Sequence, residues 1–137
     1  MRLFVNLPVD DLPRTIAFFT GLGFEFNPKF TDENATCMII GEDAHAMLLT
    51  KDRFKDFTNK PLADVTAATG AILALSVESR EAVDQFAEKA LATGATPAMP
   101  PIDLGFMYSR SFYDPSGHHW EVFYMDPVAA AGGPPPA

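Results

Sequence analysis

A single cysteine, Cys37, is all the thiol chemistry the chain carries. That excludes an internal disulfide and any zinc site built on several cysteines. Cys37 lies in TCMII, an apolar strand-like run with nothing nearby to favour a thiolate, so it reads as a buried, inert thiol. Cations are also scarce. Ten Lys and Arg face 18 Asp and Glu, for a formal net charge of −8. No basic patch forms, so no nucleic-acid partner is expected. No apolar run approaches the ~20 residues of a membrane span, so no membrane partner is expected either. The N-terminal stretch has one arginine, then a strand-like run with a proline, and no cleavage pattern. Together these absences predict a soluble cytoplasmic protein.

What is present suits one folded domain. The 137 residues are 47% hydrophobic, enough for a core. RLFVNLPV, residues 2–9, reads as a strand. Asp10 or Asp11 caps a helix with Pro13 in its first turn and Leu12, Ile16 and Phe19 on one face. Gly23 ends it. FEFNP is a short strand, and NATCMIIG and AHAMLLTK form a hairpin about Glu42 and Asp43. A connector over 52–69 carries a helical turn near Phe54 and Phe57. At Gly70 the order restarts. AILALSV is a strand, and Ser79 caps a helix bearing Val83, Phe86, Ala90 and Leu91. ATPAM is a short strand and PPIDLG a loop. FMYSRSFYD and HHWEVFYM form a hairpin about DPSG, whose proline and glycine suit a tight turn. The tail, 127–137, is low complexity and shows no strand or helix pattern.

The chain is thus βαβββ written twice, over residues 2–51 and 70–126 of a single domain, 1–126. Phe4 corresponds to Ile72, Phe18 to Phe86, Gly23 to Gly94, and the AMLLT strand to WEVFY. This doubled order, with FVNLPVDDLPRTIAFFTGLGFEF in the first half and SFYDPSGHHWEVFYMD in the second, resembles the vicinal oxygen chelate superfamily. That superfamily includes glyoxalase I, the bleomycin-resistance proteins and the extradiol dioxygenases. The nearest resemblance is to small bacterial glyoxalase-like, or lactoylglutathione lyase-like, proteins. It implies an α+β fold in which two βαβββ modules form a curved mixed sheet around a cleft, within one chain or across a homodimer.

The resemblance also implies four strand positions that face the cleft and, in metal-dependent members, hold a divalent ion. Here they fall on Phe4, Leu48, Ile72 and Glu121. Only Glu121 keeps an oxygen ligand. Three hydrocarbons and one carboxylate cannot hold a catalytic ion, which needs about three protein ligands. No resident metal or other cofactor is therefore expected. His119, two residues before Glu121, shares its face and is the nearest rescue. The plainer reading makes His118 and His119 exposed hairpin residues, with His45 the counterpart of His118. Glu121 in an apolar basket can serve as a general base, or can accept a hydrogen bond from a ligand. It can equally pair with Arg110 or a tyrosine and only order the site. Asn6, on the face of Phe4, and Tyr108 and Arg110, on a flanking strand, are the other candidate ligand-binding residues; an ion pair with an acidic neighbour would claim Arg110 instead. Trp120 alternates with Glu121 and is expected to pack against a helix.

Two functions follow. One is a metal-free protein that binds a small organic molecule in an apolar cleft, as in the bleomycin-resistance branch. The other is a metal-dependent glyoxalase-like lyase or isomerase acting on a small carbonyl compound with Glu121 as base. Sheet edges make a homodimer plausible in either case.

Overall fold

Leu3–Val9 forms strand β1, and Asp11 then caps helix α1, Leu12–Gly21, accepting the Arg14 amide at 3.1 Å. Pro13 sits in the first turn, where its missing N–H removes no helical bond. Gly23 follows at φ 98°, a conformation open to glycine at little cost. β2, Glu25–Asn27, β3, Ala35–Ile39, and β4, Ala44–Thr50, complete the first sheet. A short helix α2, Lys51–Lys55, leads into the connector. The computed structural model describes residues 1–136. It divides into two compact units, Met1–Ala68 and a second from Thr69 onward.

The second unit repeats the plan. β5, Ile72–Ser76, precedes helix α3, Arg80–Ala92, whose Ser79 cap accepts the Ala82 amide at 3.0 Å. Two-residue strands β6, Thr96–Pro97, and β7, Ile102–Asp103, come before the long strands β8, Met107–Tyr113, and β9, His119–Met125. PPIDLG is therefore not wholly a loop, because Ile102 and Asp103 pair with Ser109 and Tyr108. Nor is the tail without structure. Asp126 caps a one-and-a-half-turn helix α4, Pro127–Gly132, which buries Ala129. Proline at its first position and a capping aspartate set this helix without an apolar stripe for periodicity to detect.

The α+β fold thus carries two open mixed sheets, one of four strands in the order β1-β4-β3-β2 and one of five in which β5-β9-β8-β6 run in order and β7 joins β8. In each, the strand before the helix pairs parallel with the last long strand. Side chains alternate between faces, so each sheet has a helix face and an opposite face. In the first unit Leu7, Ala46, Leu48, Thr36 and Met38 share the buried face. In the second, Val83 and Ala87 of α3 pack on Val122, with Tyr108 and Tyr124 alongside. Burying one such valine contributes about 1.5–3 kcal/mol. Trp120 lies on this face and is fully buried, as its alternation with Glu121 predicts. Among the described residues no helix is long and apolar enough to cross a membrane.

Candidate functional site

The face of the second sheet turned away from α3 is set by register. On β9, His119, Glu121 and Phe123 pair with Tyr113, Ser111 and Ser109 of β8 and with Ile72, Ala74 and Ser76 of β5. Opposite residues in a ladder share a face, so these side chains stand together. A hollow of about 400 Å³ opens over His119, Glu121, Tyr113, Ser111, Ser109 and Ile72 of this set, within the usual range for a small-molecule site. Ile72, Met99, Pro100 and Ile102 give it apolar walls. Ser109, Ser111, Tyr113, His119 and Glu121 supply its polar groups.

Glu121 is half-buried and makes no hydrogen bond or ion pair among the described residues. Among the described residues the alternative pairing of Glu121 with Arg110 or a tyrosine does not form. Arg110 borders the hollow, yet its guanidinium reaches α3 on the other face, donating to Asp84 at 3.2 Å and to Glu88 at 2.8 Å. Tyr108 sits on that same face and donates to Asp84 at 2.6 Å. That bond, against the effect of partial burial, holds the Asp84 carboxyl below its usual range, and Arg110 adds to it. Tyr108 and Arg110 are thus held by the α3 carboxylates and do not stand beside Glu121. The reason is period two: both alternate with Ser109 and Ser111, the residues that do face the hollow.

The histidines separate in the same way. His119 lines the hollow and meets Tyr113 edge to face, ring centres 5.4 Å apart. His118 points the other way and is buried. Neither is an exposed hairpin residue. His118 belongs to a turn organised by the buried Asp114, whose carboxylate accepts the Ser116 amide at 2.9 Å, the His118 amide at 3.0 Å and the Trp120 indole N–H at 2.9 Å. Burial pushes the Asp114 carboxyl up, against the pull of His118 and of these bonds. Gly117, at φ 99°, closes the turn by donating to the Asp114 carbonyl.

In the first unit the corresponding face carries Phe4, Asn6 and Pro8 on β1, paired with His45, Met47 and Leu49 on β4. Phe4 is 47% exposed and stacks on His45, ring centres 4.6 Å apart. The buried His45 Nδ1 has no partner among the described residues. Asn6 is exposed and donates to the Phe4 carbonyl at 3.3 Å. Leu48 does not share this face. It pairs with Leu7 and is fully buried in the core. Met47 is the residue whose register matches Glu121, and His45 matches His119, not His118.

The donor set can be weighed against a divalent ion. Phe4 and Ile72 carry no donor atom, and Met47 offers only a thioether, a poor partner for a hard ion. His119 and Glu121 make two ligands on one strand. Among the described residues, no three of His, Cys, Asp and Glu come together as a metal group. Taken unit by unit, neither set of residues fits a three-ligand site.

Solved structures with the same fold include hypothetical protein SA1046 from S. aureus, with TM-score 0.78 and 25% identity over 90% of this chain and 93% of that one. A glyoxalase/bleomycin resistance protein/dioxygenase family enzyme from Burkholderia phytofirmans PsJN aligns with TM-score 0.74 and 18% identity, covering 89% and 96%. The fosfomycin resistance protein FosX from Listeria monocytogenes gives TM-score 0.68 and 21% identity, covering 93% and 95%. The last two likenesses speak for the fold alone. No curated protein matches the chain. The family model for the Glyoxalase/Bleomycin resistance protein/Dioxygenase superfamily matches residues 3–122, and the chain belongs to that superfamily.

Proposed function

We propose that the chain binds a small organic molecule on the Glu121 face of its second sheet, without a resident metal ion. The observation that carries this reading is one unpartnered carboxylate in an apolar-walled hollow of about 400 Å³. Few convergent polar groups on apolar walls are what orient a small ligand. Among the described residues no third His, Cys, Asp or Glu joins His119 and Glu121, which supports the metal-free form. A thermal-shift screen of divalent ions and of small aromatic compounds tests it. The expected result is a rise in melting temperature with organic compounds, reduced in Glu121→Gln. A rise of several degrees with a divalent ion alone, abolished by Glu121→Gln, counts against it.

A second reading has one observation in its favour. His119 and Glu121 line the same hollow, as a base and a proton-relaying neighbour would. On that reading the protein is a glyoxalase-like lyase or isomerase, and Glu121 removes a proton from a small carbonyl compound. Turnover of the methylglyoxal–glutathione hemithioacetal, assayed with added nickel, cobalt, zinc or manganese, tests it, and no activity with any of them removes its specific glyoxalase form. We also propose a cytoplasmic homodimer. β1 and β5 each end the order of their own sheet, and an edge strand is a ready pairing surface. Sedimentation at micromolar concentration reads the mass directly.

A further inference from the structure

We infer that the ligand of the Glu121 hollow is a small organic cation, a protonated amine on an aryl or alkyl body. The inference rests on the small-molecule reading above and names the chemistry of that molecule. It starts from the charge balance of the hollow. Among the described residues no Lys or Arg pairs with Glu121 and no hydrogen-bond donor reaches its carboxylate; its nearest basic neighbour on this face is His119. The second unit holds three Lys or Arg side chains. Arg110 is held by Asp84 and Glu88, and Arg80 by Asp103. Lys89 stands on α3, which packs on the other face of the sheet. A neutral ligand without a donor would strip water from a charge and return nothing, and one with an O–H or N–H would return a hydrogen bond but no opposite charge. An anionic ligand would add repulsion. A ligand that brings its own N–H donors and positive charge offsets the desolvation.

The surroundings fit such a molecule. Ile72, Met99 and Ile102, which wall the hollow, are 53%, 57% and 40% exposed. They offer a bed for a hydrocarbon or aryl body. The Tyr113 ring, with His119 against it, adds an aromatic surface to the hollow, and such surfaces attract cations. Ser111, directly across the ladder from Glu121, accepts the Met99 amide at 2.9 Å. That bond orients its oxygen and leaves its O–H to donate. The face therefore presents a carboxylate acceptor next to a hydroxyl donor. The ligand it suits has an ammonium group, a neighbouring acceptor, and an apolar remainder. The chain's net charge of −8 draws cations toward it from solution.

Calorimetric titration at neutral pH with benzylamine, benzyl alcohol and benzoate tests this. The three probes share a ring and differ in charge. The expected order is benzylamine first, by roughly tenfold over benzyl alcohol, as for one charge-assisted bond, with benzoate last. In Glu121→Gln, which keeps the side-chain size, the amine's advantage falls to about threefold or less while the alcohol is unchanged. Far-UV circular dichroism confirms that this variant is folded. Equal affinity for amine and alcohol, a preference for benzoate, or an unchanged amine affinity in Glu121→Gln overturns the inference and leaves small-molecule binding standing. No binding by any of the three also overturns it. Only that outcome joined to a blank thermal-shift screen removes the broader reading as well.

Discussion

In the first unit, register sets Phe4 beside His45 and Asn6 beside Met47; in the second, the same positions hold Ile72 beside His119 and Ala74 beside Glu121. The helix faces are alike in kind, with Leu7 and Leu48 buried in one and Val122 and Trp120 in the other. The opposite faces are not. One carries a phenylalanine–histidine stack and a thioether, the other an unpartnered carboxylate in a hollow. A helix face must be apolar to drive the fold, so its chemistry is fixed by packing. The other face is free to differ, and the difference between the units is where a function would be written.

The largest effects should come from breaking that contrast on β4. Leu48 and Met47 are neighbours in sequence on opposite faces. Leu48→Ala should cost about 2–5 kcal/mol in a urea titration, because it opens a cavity in the core. Met47→Ala should cost under about 1.5 kcal/mol, since Met47 is only half-buried. Equal costs would mean that the faces are assigned wrongly.

A second test concerns a feature of the second unit alone. Asp114→Asn leaves one oxygen where two served three N–H donors, and should cost about 1–3 kcal/mol. The sign of its pH dependence is fixed. Burial raises the folded-state pKa above the ordinary 3.8, so the stability this group adds is full below 3.8 and is lost as pH rises through the raised value. The deficit of Asp114→Asn relative to the parent should therefore shrink as pH rises through that window. Melting curves from pH 3 upward would show a widening deficit if burial did not govern this carboxyl.

Asp84 runs the other way. Its folded-state pKa lies below the ordinary 3.8, so its contribution is present above that value and is lost as pH falls through the lowered one. Asp84→Asn should flatten the acid side of the stability curve. At neutral pH it should cost under about 1 kcal/mol, because the pair is on the surface. The same substitution should leave ligand affinity unchanged, since the Asp84 network lies on the helix face. A loss of binding would move Arg110 and Tyr108 back into the site. Smallest of all, Glu121→Gln should shift stability by no more than about 0.5 kcal/mol, as for an unpartnered side chain. A larger loss would show that Glu121 holds the fold together.

Much of this arrangement was legible in the letters. The two βαβββ orders, the Asp11 and Ser79 caps and the DPSG turn all follow from local rules of spacing and capping, and the burial of Trp120 follows from its alternation with Glu121. The phase of β4 did not. Leu48 and Leu49 are both apolar and both buried, so neither periodicity nor burial says which shares the face of Leu7, and the register decides it. Matching AMLLT to WEVFY letter by letter does set Met47 against Glu121, and that signal outranked the position taken from the family pattern. Tyr108 and Arg110 were candidates because they lie on the correct strand, but their parity puts them on its other face. Ser109 and Ser111 could have been found by that same parity, counted across the turn from Glu121. The carboxylates that claim Arg110 are more than 20 residues away in sequence, and only the packing of α3 brings them near.

The most direct test of the site is a map of backbone amide shifts during titration with benzylamine. Shifts clustered on Ile72, Ser109, Ser111, His119 and Glu121, and lost in Glu121→Gln, are the predicted result. Shifts confined to α3 and the Asp84 network, or spread without a centre, would contradict it.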